Sequence, residues 1–414
     1  MPKRHAVVAG AGIGGLTAAL ALHRRGWHVT VCERAPRQPV TGAGIGLAPN
    51  ALRALEAIGV DAAHAAGSAV PAWMGVRDRG GRWLTRTGTA YLASRYGLAP
   101  IAVPRPAFTA ALAAGLPPGR IRYGTAVTGV DQGGGRPVVR TGSGPDLPAD
   151  LVVAADGIHS PLRRAHFPAH PGLRYLGETA WRVLVNAPEL DVPAMSETWG
   201  RGARFGVTPL SDGRFYLYAT AVLPAGTRSA DPRAELLRRF GSWHDPIPAL
   251  LERVGRLDPA EILRNDLYDL AAPLPALHRG RIAWLGDAAH AMAPNLGQGG
   301  CQAIEDAVVL ARLLPRGDTP DGTGGEGDPD SAAGPAGRAG GDGRDPVAAA
   351  LAAYTAARRD RTDAVRVRAR RVGRLGALRN PLAAALRDLA VRATPVRLAL
   401  RGMDDLFDGF HVPG

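Results

Sequence analysis

The stretch from His5 to Glu33 constrains the fold more than any other part of the chain. A short apolar run, HAVVA (His5 to Ala9), is suited to a buried parallel strand. GAGIGG follows, then LTAALALHRRG with helical spacing of Leu16, Leu20 and Leu22 and a closing Gly26. WHVTVCER is a second, β-branched strand ending at Glu33. Strand, glycine turn, helix, strand and acidic residue within about 30 residues make a dinucleotide-binding βαβ unit. Gly10 allows the tight turn, Gly12 lets backbone approach a pyrophosphate, and Gly15 permits close helix–strand packing. The helix N-terminus offers free N–H groups and a positive dipole end to phosphate. Glu33 lies where a carboxylate can accept from a ribose diol.

Two later segments repeat the pattern of an apolar strand running into a glycine/aspartate turn. DLVVAADG spans Asp150 to Gly157, with Asp156 in the turn. GRIAWLGDAAHAMAPNLGQGGCQAIEDAVVLARLL gives a strand, a turn at Gly286–Asp287, a glycine-rich loop and a long amphipathic helix. A nicotinamide dehydrogenase needs only the first turn. A cofactor touching all three is extended, with an adenosine end, a pyrophosphate and a sugar-like chain. Between them, GAGIGLAPNALRALEAIG (Gly42 to Gly59) reads as a glycine loop and a helix, and the sequence on to about residue 100 reads as strands and turns. Residues 175–275 also read as strands and turns.

Composition excludes several chemistries. Of 50 basic residues in 414, only Lys3 is a lysine, so Schiff-base and phosphate-loop lysine chemistry are ruled out. Two cysteines make neither a disulfide framework nor a cysteine-rich metal site, and they fit a reducing, cytoplasmic compartment. No metal site is expected. The net charge of +13 accompanies only 5% aromatic residues and no basic–aromatic stripe, so nucleic acid is not an expected partner. The uncharged run Ala6–Leu22 after Lys3 and Arg4 looks like a secretory signal, but its glycines fall at the dinucleotide spacing. No other run approaches the roughly 20 apolar residues of a membrane span, and no stable membrane association is expected. Residues 315–346 carry glycine, proline, aspartate and small residues with no large apolar one. They read as a disordered insertion between helices. The helix after Pro346 carries Arg358, Arg366, Arg370 and Arg374 at mostly four-residue spacing and reads as a solvated face.

GAGIGG with Glu33-Arg34, DLVVAADGIHS and GDAAHAMAPNLGQGGCQAIEDA together resemble the single-component FAD-dependent aromatic hydroxylases, the para-hydroxybenzoate hydroxylase-like flavoprotein monooxygenases. GAGIGLAPNALRAL, GRGARFGVTPLSDGRFYLYA and FGSWHDPIPALL are similar to the branch holding urate hydroxylase, 3-hydroxybenzoate 6-hydroxylase and zeaxanthin epoxidase. The resemblance implies an α/β fold: a Rossmann-type FAD-binding domain, an inserted β-sheet substrate domain and C-terminal helices. The expected division is 1–75, 100–175 and 275–314 for FAD, 76–99 and 176–274 for substrate, 315–346 as the insertion and 347–414 as helices. The resemblance also implies roles. Gly10, Gly12, Gly14 and Gly15 would hold the pyrophosphate, with Glu33 on the ribose and Arg34 near the adenine. Gly46 would approach the flavin, Arg105 the phosphates and ribityl chain, and Val127 the adenine through its backbone. Asp156 and Asp287 belong to the two later turns, Asp287 on the ribityl hydroxyls. Backbone N–H groups from Gly297, Gly299 and Gly300 to Cys301 would stabilise negative charge on reduced flavin. His290 and Cys301 read as packed side chains rather than as a base and a reactive thiol.

The implied chemistry uses FAD, NADH or NADPH as a transient co-substrate, and O2, through a flavin C4a-hydroperoxide attacked by a small, electron-rich aromatic. Hydroxylation and epoxidation both remain open, as do a monomer and a homodimer. An oxidase or reductase without oxygen insertion is the alternative, and a non-catalytic dinucleotide sensor a weaker one. Strands 202–209 and 213–220, paired antiparallel, would put Arg204 and Tyr216 as neighbours on one polar, aromatic-bearing face with Gly206, Thr208 and Tyr218. In the resemblance to urate hydroxylase, Arg204 and Tyr216 match residues that position and activate substrate.

Overall fold

The computed structural model describes residues 3–38, 43–62, 70–317 and 345–411. His5–Ala9 is the centre of a six-stranded sheet, paired in parallel with His28–Cys32 and Leu151–Ala154. Ile282–Trp284 extends it beside Leu151–Ala154, Ile121–Arg122 closes the other side, and a short antiparallel strand His278–Arg279 caps the edge. All three glycine/aspartate turns therefore leave adjacent parallel strands at the same end of one sheet, where open α/β sheets bind ligands. Helix Ile13–Arg24 packs on this sheet and helix Gly299–Leu313 packs on that helix, and the central strands are buried almost throughout.

A seven-stranded sheet forms the second half, in the order Leu263–Leu270, Leu173–Asn186, Arg214–Val222, Ala203–Pro209, Ala194–Trp199, Trp73–Asp78 and Trp83–Gly88. Its two faces differ in chemistry. One is apolar: Trp181, Val183, Phe205, Val207, Phe215, Leu217 and Ala219 form a second core with helices Pro232–Phe240 and Ile247–Val254. The other carries the alternate residues of the same strands, most of them polar, among them Arg182, Arg204, Thr208, Tyr216, Tyr218 and Thr220. The reading of 175–275 as strands and turns missed those two helices. The first is capped by Asp231, whose side chain accepts from the Arg233 N–H, and both cover the apolar face that strand alternation creates.

Thr89–Tyr96 is also helical rather than strand or turn. Gly97 ends it in the left-handed conformation, and Leu92 and Tyr96 pack with Leu400, Leu406 and Phe407 of the C-terminal helix 396–407. Periodicity over eight residues was too short a signal for an element that tertiary packing stabilises. Of the expected insertion, Asp318–Arg344 lies outside the described residues. Its flanks are ordered, which moves the boundary: Trp27 Nε1 donates to the Pro315 carbonyl at 2.9 Å, and the Gly317 N–H donates to the Arg25 carbonyl at 2.8 Å. Asp345 caps the long helix Pro346–Gly376 and pairs with Arg281 at 2.6 Å.

That helix overturns the solvated reading of its arginines. Arg358 and Arg366 are buried, and Arg370 pairs with the buried Asp269; only Arg374 is exposed. Arg358 meets Asp306 at 2.7 Å, Glu305 and Gln302. Its partners stand some fifty residues away in sequence, beyond the reach of local spacing.

Candidate active site

The glycine turn has the geometry its sequence demands. Gly10 sits at φ +105°, and a Cβ there would stand 2.4 Å from the Ala155 carbonyl oxygen. A Cβ on Gly15 would meet the Gly10 carbonyl at 2.0 Å, and one on Gly14 would meet Leu285 and Ala303. The Cβ positions of Gly14 and Gly15 thus face the interior, where only glycine lets helix and strands close up. Around Gly12 the space is open to 4 Å. Glu33 holds the turn from the next strand, accepting the Ala11 N–H at 2.7 Å and the Ala35 N–H at 2.8 Å, one on each oxygen. Arg34 is exposed, and Val127 opens a small three-stranded sheet beside them.

Exposed positions at the ends of the neighbouring strands and in the following loops outline a trough leading from that turn. Gly46 is exposed between neighbours that are not, Asp287 is exposed between buried Gly286 and Ala288, and Gly297 is exposed beside buried Gln298. Arg105 is exposed at the first position of helix Arg105–Ala114. Pro106 sits in the first turn of that helix, where its missing N–H costs nothing. Asp156 keeps a buried Oδ1 without a partner while its Oδ2 accepts the Leu162 N–H at 3.2 Å. Glycine backbone, an orphaned carboxylate oxygen and an exposed carboxylate along one trough fit the phosphates, hydroxyls and ring of an extended dinucleotide. At its far end, helix Gly299–Leu313 begins with unsatisfied backbone N–H groups.

Residues that the sequence did not single out hold this trough in shape. Arg163, buried, donates to the carbonyls of Ile158, Asp287 and Ala288 at 2.5, 3.2 and 2.9 Å, tying the Asp156 turn to the Asp287 turn. Glu305 accepts from Asn50 at 2.6 Å, Gln302 at 3.0 Å and Arg361 at 2.8 Å, and Asn50 donates to Gln298 at 3.0 Å. Asp306 accepts the Gly286 N–H at 3.0 Å and pairs with His290 at 2.5 Å. Burial opposes the Asp306 charge, but His290 and Arg358 overcome it and hold its pKa down at about 2. His290 is accordingly a buried structural partner. Burial pushes the Cys301 thiol up to about 12, so no thiolate nucleophile forms there.

The polar face of the seven-stranded sheet abuts the open end of the trough. Tyr216 lies so close to Gly44 that a Cβ there would stand 2.6 Å from its side chain. Arg204 donates to Asn295 in the loop before Gly297. The register is antiparallel as expected, with Arg204 opposite Thr220, Gly206 opposite Tyr218 and Thr208 opposite Tyr216. Arg204 and Tyr216 therefore share a face but are not the expected neighbours: the register sets them two rungs apart. Gly206 has no room for a side chain: the Tyr218 ring lies 2.0 Å from its Cβ position. The Tyr218 hydroxyl donates to Glu197 at 2.9 Å.

Arg204 is 1% exposed and its guanidinium is taken up within the protein. It donates to both Glu178 oxygens at 2.7 and 2.9 Å and to Thr220 at 3.1 Å, and it lies 3.8 Å from Glu197. Burial disfavours its charge, yet Glu197 and Glu178 outweigh that and raise its pKa. Tyr216 is half-buried, and burial raises its pKa despite the opposing charges of Arg182 and Arg105.

A family model described as an FAD binding domain matches residues 3–317. The chain is 39% identical over 310 residues to the aurachin C monooxygenase/isomerase of Stigmatella aurantiaca, spanning 74% of this chain and 80% of that protein. It belongs to the FAD-dependent monooxygenases. The FAD-dependent urate hydroxylase of Klebsiella pneumoniae is 36% identical to this monooxygenase over 315 residues, 75% of this chain and 81% of its own. The crystal structure of Klebsiella pneumoniae HpxO with FAD and uric acid superposes with a TM-score of 0.84 at 30% identity, covering 99% of this chain and 98% of that one. The monooxygenase binds FAD, and it shares its fold, though only 23% identity, with a salicylate hydroxylase at a TM-score of 0.72. Among the described residues no histidine, cysteine or carboxylate cluster suits a metal. None of the described helices is long and apolar enough to cross a membrane.

Proposed function

We propose that this monooxygenase hydroxylates an electron-rich nitrogen heteroaromatic bearing an oxo or hydroxy group, bound between the polar sheet face and the Asn295–Gly300 loop. The observation that carries the reading is the Tyr216–Thr208 rung. It presents a half-buried phenol and a hydroxyl beside Arg182 and Arg105, directly against Gly44 at the trough's open end. A polar, aromatic-bearing face buried between two halves of a protein suits a planar ligand with polar edges.

FAD, when bound, supplies the acceptance of hydride from NADH or NADPH and the activation of oxygen. The rest falls to the chain. Glycine turns at 10–12, 46 and 297–300 would cradle the cofactor, with Glu33, Arg105, Asp156 and Asp287 on its polar groups. The helix beginning at Gly299 would turn its dipole and free N–H groups toward negative charge. Tyr216, its pKa raised, stays protonated at neutral pH and can donate to a substrate oxygen. The nearby charges of Arg182 and Arg105 favour the deprotonated, more nucleophilic form of a hydroxy substrate. Arg204 acts at one remove, holding Asn295 and the polar face together.

Two relatives carry names of the same chemistry: the urate hydroxylase, and the 2-heptyl-3-hydroxy-4(1H)-quinolone synthase of Pseudomonas aeruginosa, 35% identical over 323 residues. The test is a panel of quinolones, hydroxypyridines, purines and carbocyclic phenols, assayed for stimulated NAD(P)H oxidation under labelled oxygen. A heteroaromatic should stimulate oxidation and gain one labelled oxygen atom. Labelled product only from carbocyclic phenols, or peroxide with every heteroaromatic, would overturn the reading.

A further inference from the structure

Helix Pro381–Ala393 lies outside the site and has an unusual surface. Its inner side is anchored: Ala384 and Arg387 are buried, and Arg387 donates to the Gly200 carbonyl at 3.2 Å, pairs with Asp388 and sits over the Trp199 ring. Its outer side should therefore be polar. Instead Leu382, Leu386 and Leu389 are 75%, 66% and 61% exposed. Their i, i+4, i+7 spacing aligns them in one stripe, and exposed Ala385 and Ala393 continue it.

The chain on either side of the stripe is predominantly basic, although Asp404 lies just beyond and faces Arg401. From Arg371 to Arg401 the chain carries seven arginines and one acid, Asp388, which is already paired with Arg387. The other six arginines (371, 374, 379, 392, 397 and 401) are all exposed, and of these Arg392 approaches Asp78 at 3.5 Å. We propose that this helix is a reversible docking surface for an anionic lipid bilayer, lying in the plane of the interface with its leucines in the headgroup–acyl boundary. An amphipathic helix with an apolar face and a basic rim has the composition such binding needs. Each basic residue near an anionic surface strengthens binding by about fivefold. A second copy of the chain fits poorly. A 13-residue helix is about 20 Å long, and its one face falls well short of the roughly 800 Å² per partner of a stable interface. A two-fold contact would also bring the arginines against their own copies. The proposal goes beyond the catalytic reading and does not depend on it.

The test is co-sedimentation of the FAD-loaded, full-length protein with vesicles of phosphatidylcholine alone or with about 30% phosphatidylglycerol. Binding should be at least about tenfold stronger to the anionic vesicles and should fall in about 0.5 M NaCl, where charges are screened beyond a few ångströms. The triple variant Leu382→Ser, Leu386→Ser, Leu389→Ser should lose about tenfold or more in partitioning. The pair Arg374→Glu, Arg397→Glu should do the same, and both variants should keep the flavin spectrum and sedimentation coefficient of the parent. Failure to bind anionic vesicles would overturn the proposal, as would binding indifferent to the leucines. So would a dimer that the triple serine variant converts to a monomer, which would give the face to a second copy.

Discussion

Arg204 and Tyr216 lie on the same face and have different surroundings, so their substitutions should separate. Arg204→Ala would leave Glu178 and Glu197 facing each other without the cation, and breaking such a buried pair costs about 3–5 kcal/mol. A lowered melting temperature is expected along with loss of product. Tyr216→Phe removes one half-buried hydroxyl and no charge. It should keep stability and FAD content while product falls and hydrogen peroxide rises, measured as product formed per NAD(P)H oxidised. Unchanged coupling in Tyr216→Phe would take the phenol out of the reaction. On the cofactor side, Asp287 is exposed in the trough, whereas both Glu33 oxygens already accept backbone N–H groups. Asp287→Ala is the cleaner probe. Losing a hydrogen bond to a charged group costs about 1.5–3 kcal/mol, so FAD should bind roughly ten- to a hundredfold more weakly. Equilibrium dialysis of the flavin reads that directly, and parent-like affinity would remove Asp287 from the site.

Among the elements, the long helix Pro346–Gly376 departs furthest from what its sequence suggests. Four-residue arginine spacing marks one helical face but does not say what that face meets. Here it meets Glu305, Asp306 and Asp269, brought up by other elements. The glycine turns and the strand–helix unit were legible because their chemistry is local, each within about 30 residues. The ion pairs behind the flavin loop were not, because every partner arrives through tertiary packing. Arg358→Met would take the shared cation from both buried carboxylates, leaving Glu305 to Arg361 and Asp306 to His290, and should destabilise the protein by up to about 3–5 kcal/mol, while Arg374→Met should change little. Acid titration gives a second reading. Asp306 titrates at about 2 in the folded state against an ordinary 3.8. A carboxylate with a depressed folded pKa stabilises the fold above its unfolded pKa and loses that contribution as pH falls through the folded one. The parent should lose stability between about pH 4 and pH 2; Arg358→Met, whose folded pKa lies closer to the unfolded value, should show a shallower loss that ends at higher pH. Parallel melting-temperature profiles for the two would refute the coupling.

For the molecule as a whole, the two halves meet at a seam made from three separate segments. Arg204 comes from the seven-stranded sheet and Asn295 from the loop before Gly297, while Gly373 and Gly376 of the long helix leave room for their side chains. No local pattern announces such a seam, because strand register decides which residues of 178–220 share the polar face. The expected insertion lies, from 318 to 344, outside the described residues, and the structure describes its two ends. Pro315–Gly317 is pinned to Arg25 and Trp27, and Asp345 caps its helix and pairs with Arg281. Replacing residues 318–344 with a short glycine/serine loop keeps every one of those contacts. Halving a loop changes its closure entropy by only about 0.6 kcal/mol. FAD content should be unchanged, and the melting temperature should move by no more than about 2–3 °C. Extending the excision to 315–345 should behave differently. It removes the helix cap, at about 1 kcal/mol, and leaves the buried Trp27 N–H without its acceptor, at about 1–3 kcal/mol. The melting temperature should then fall well beyond the shorter excision's shift. A large fall already in the 318–344 variant would show that the excised residues pack against the folded protein.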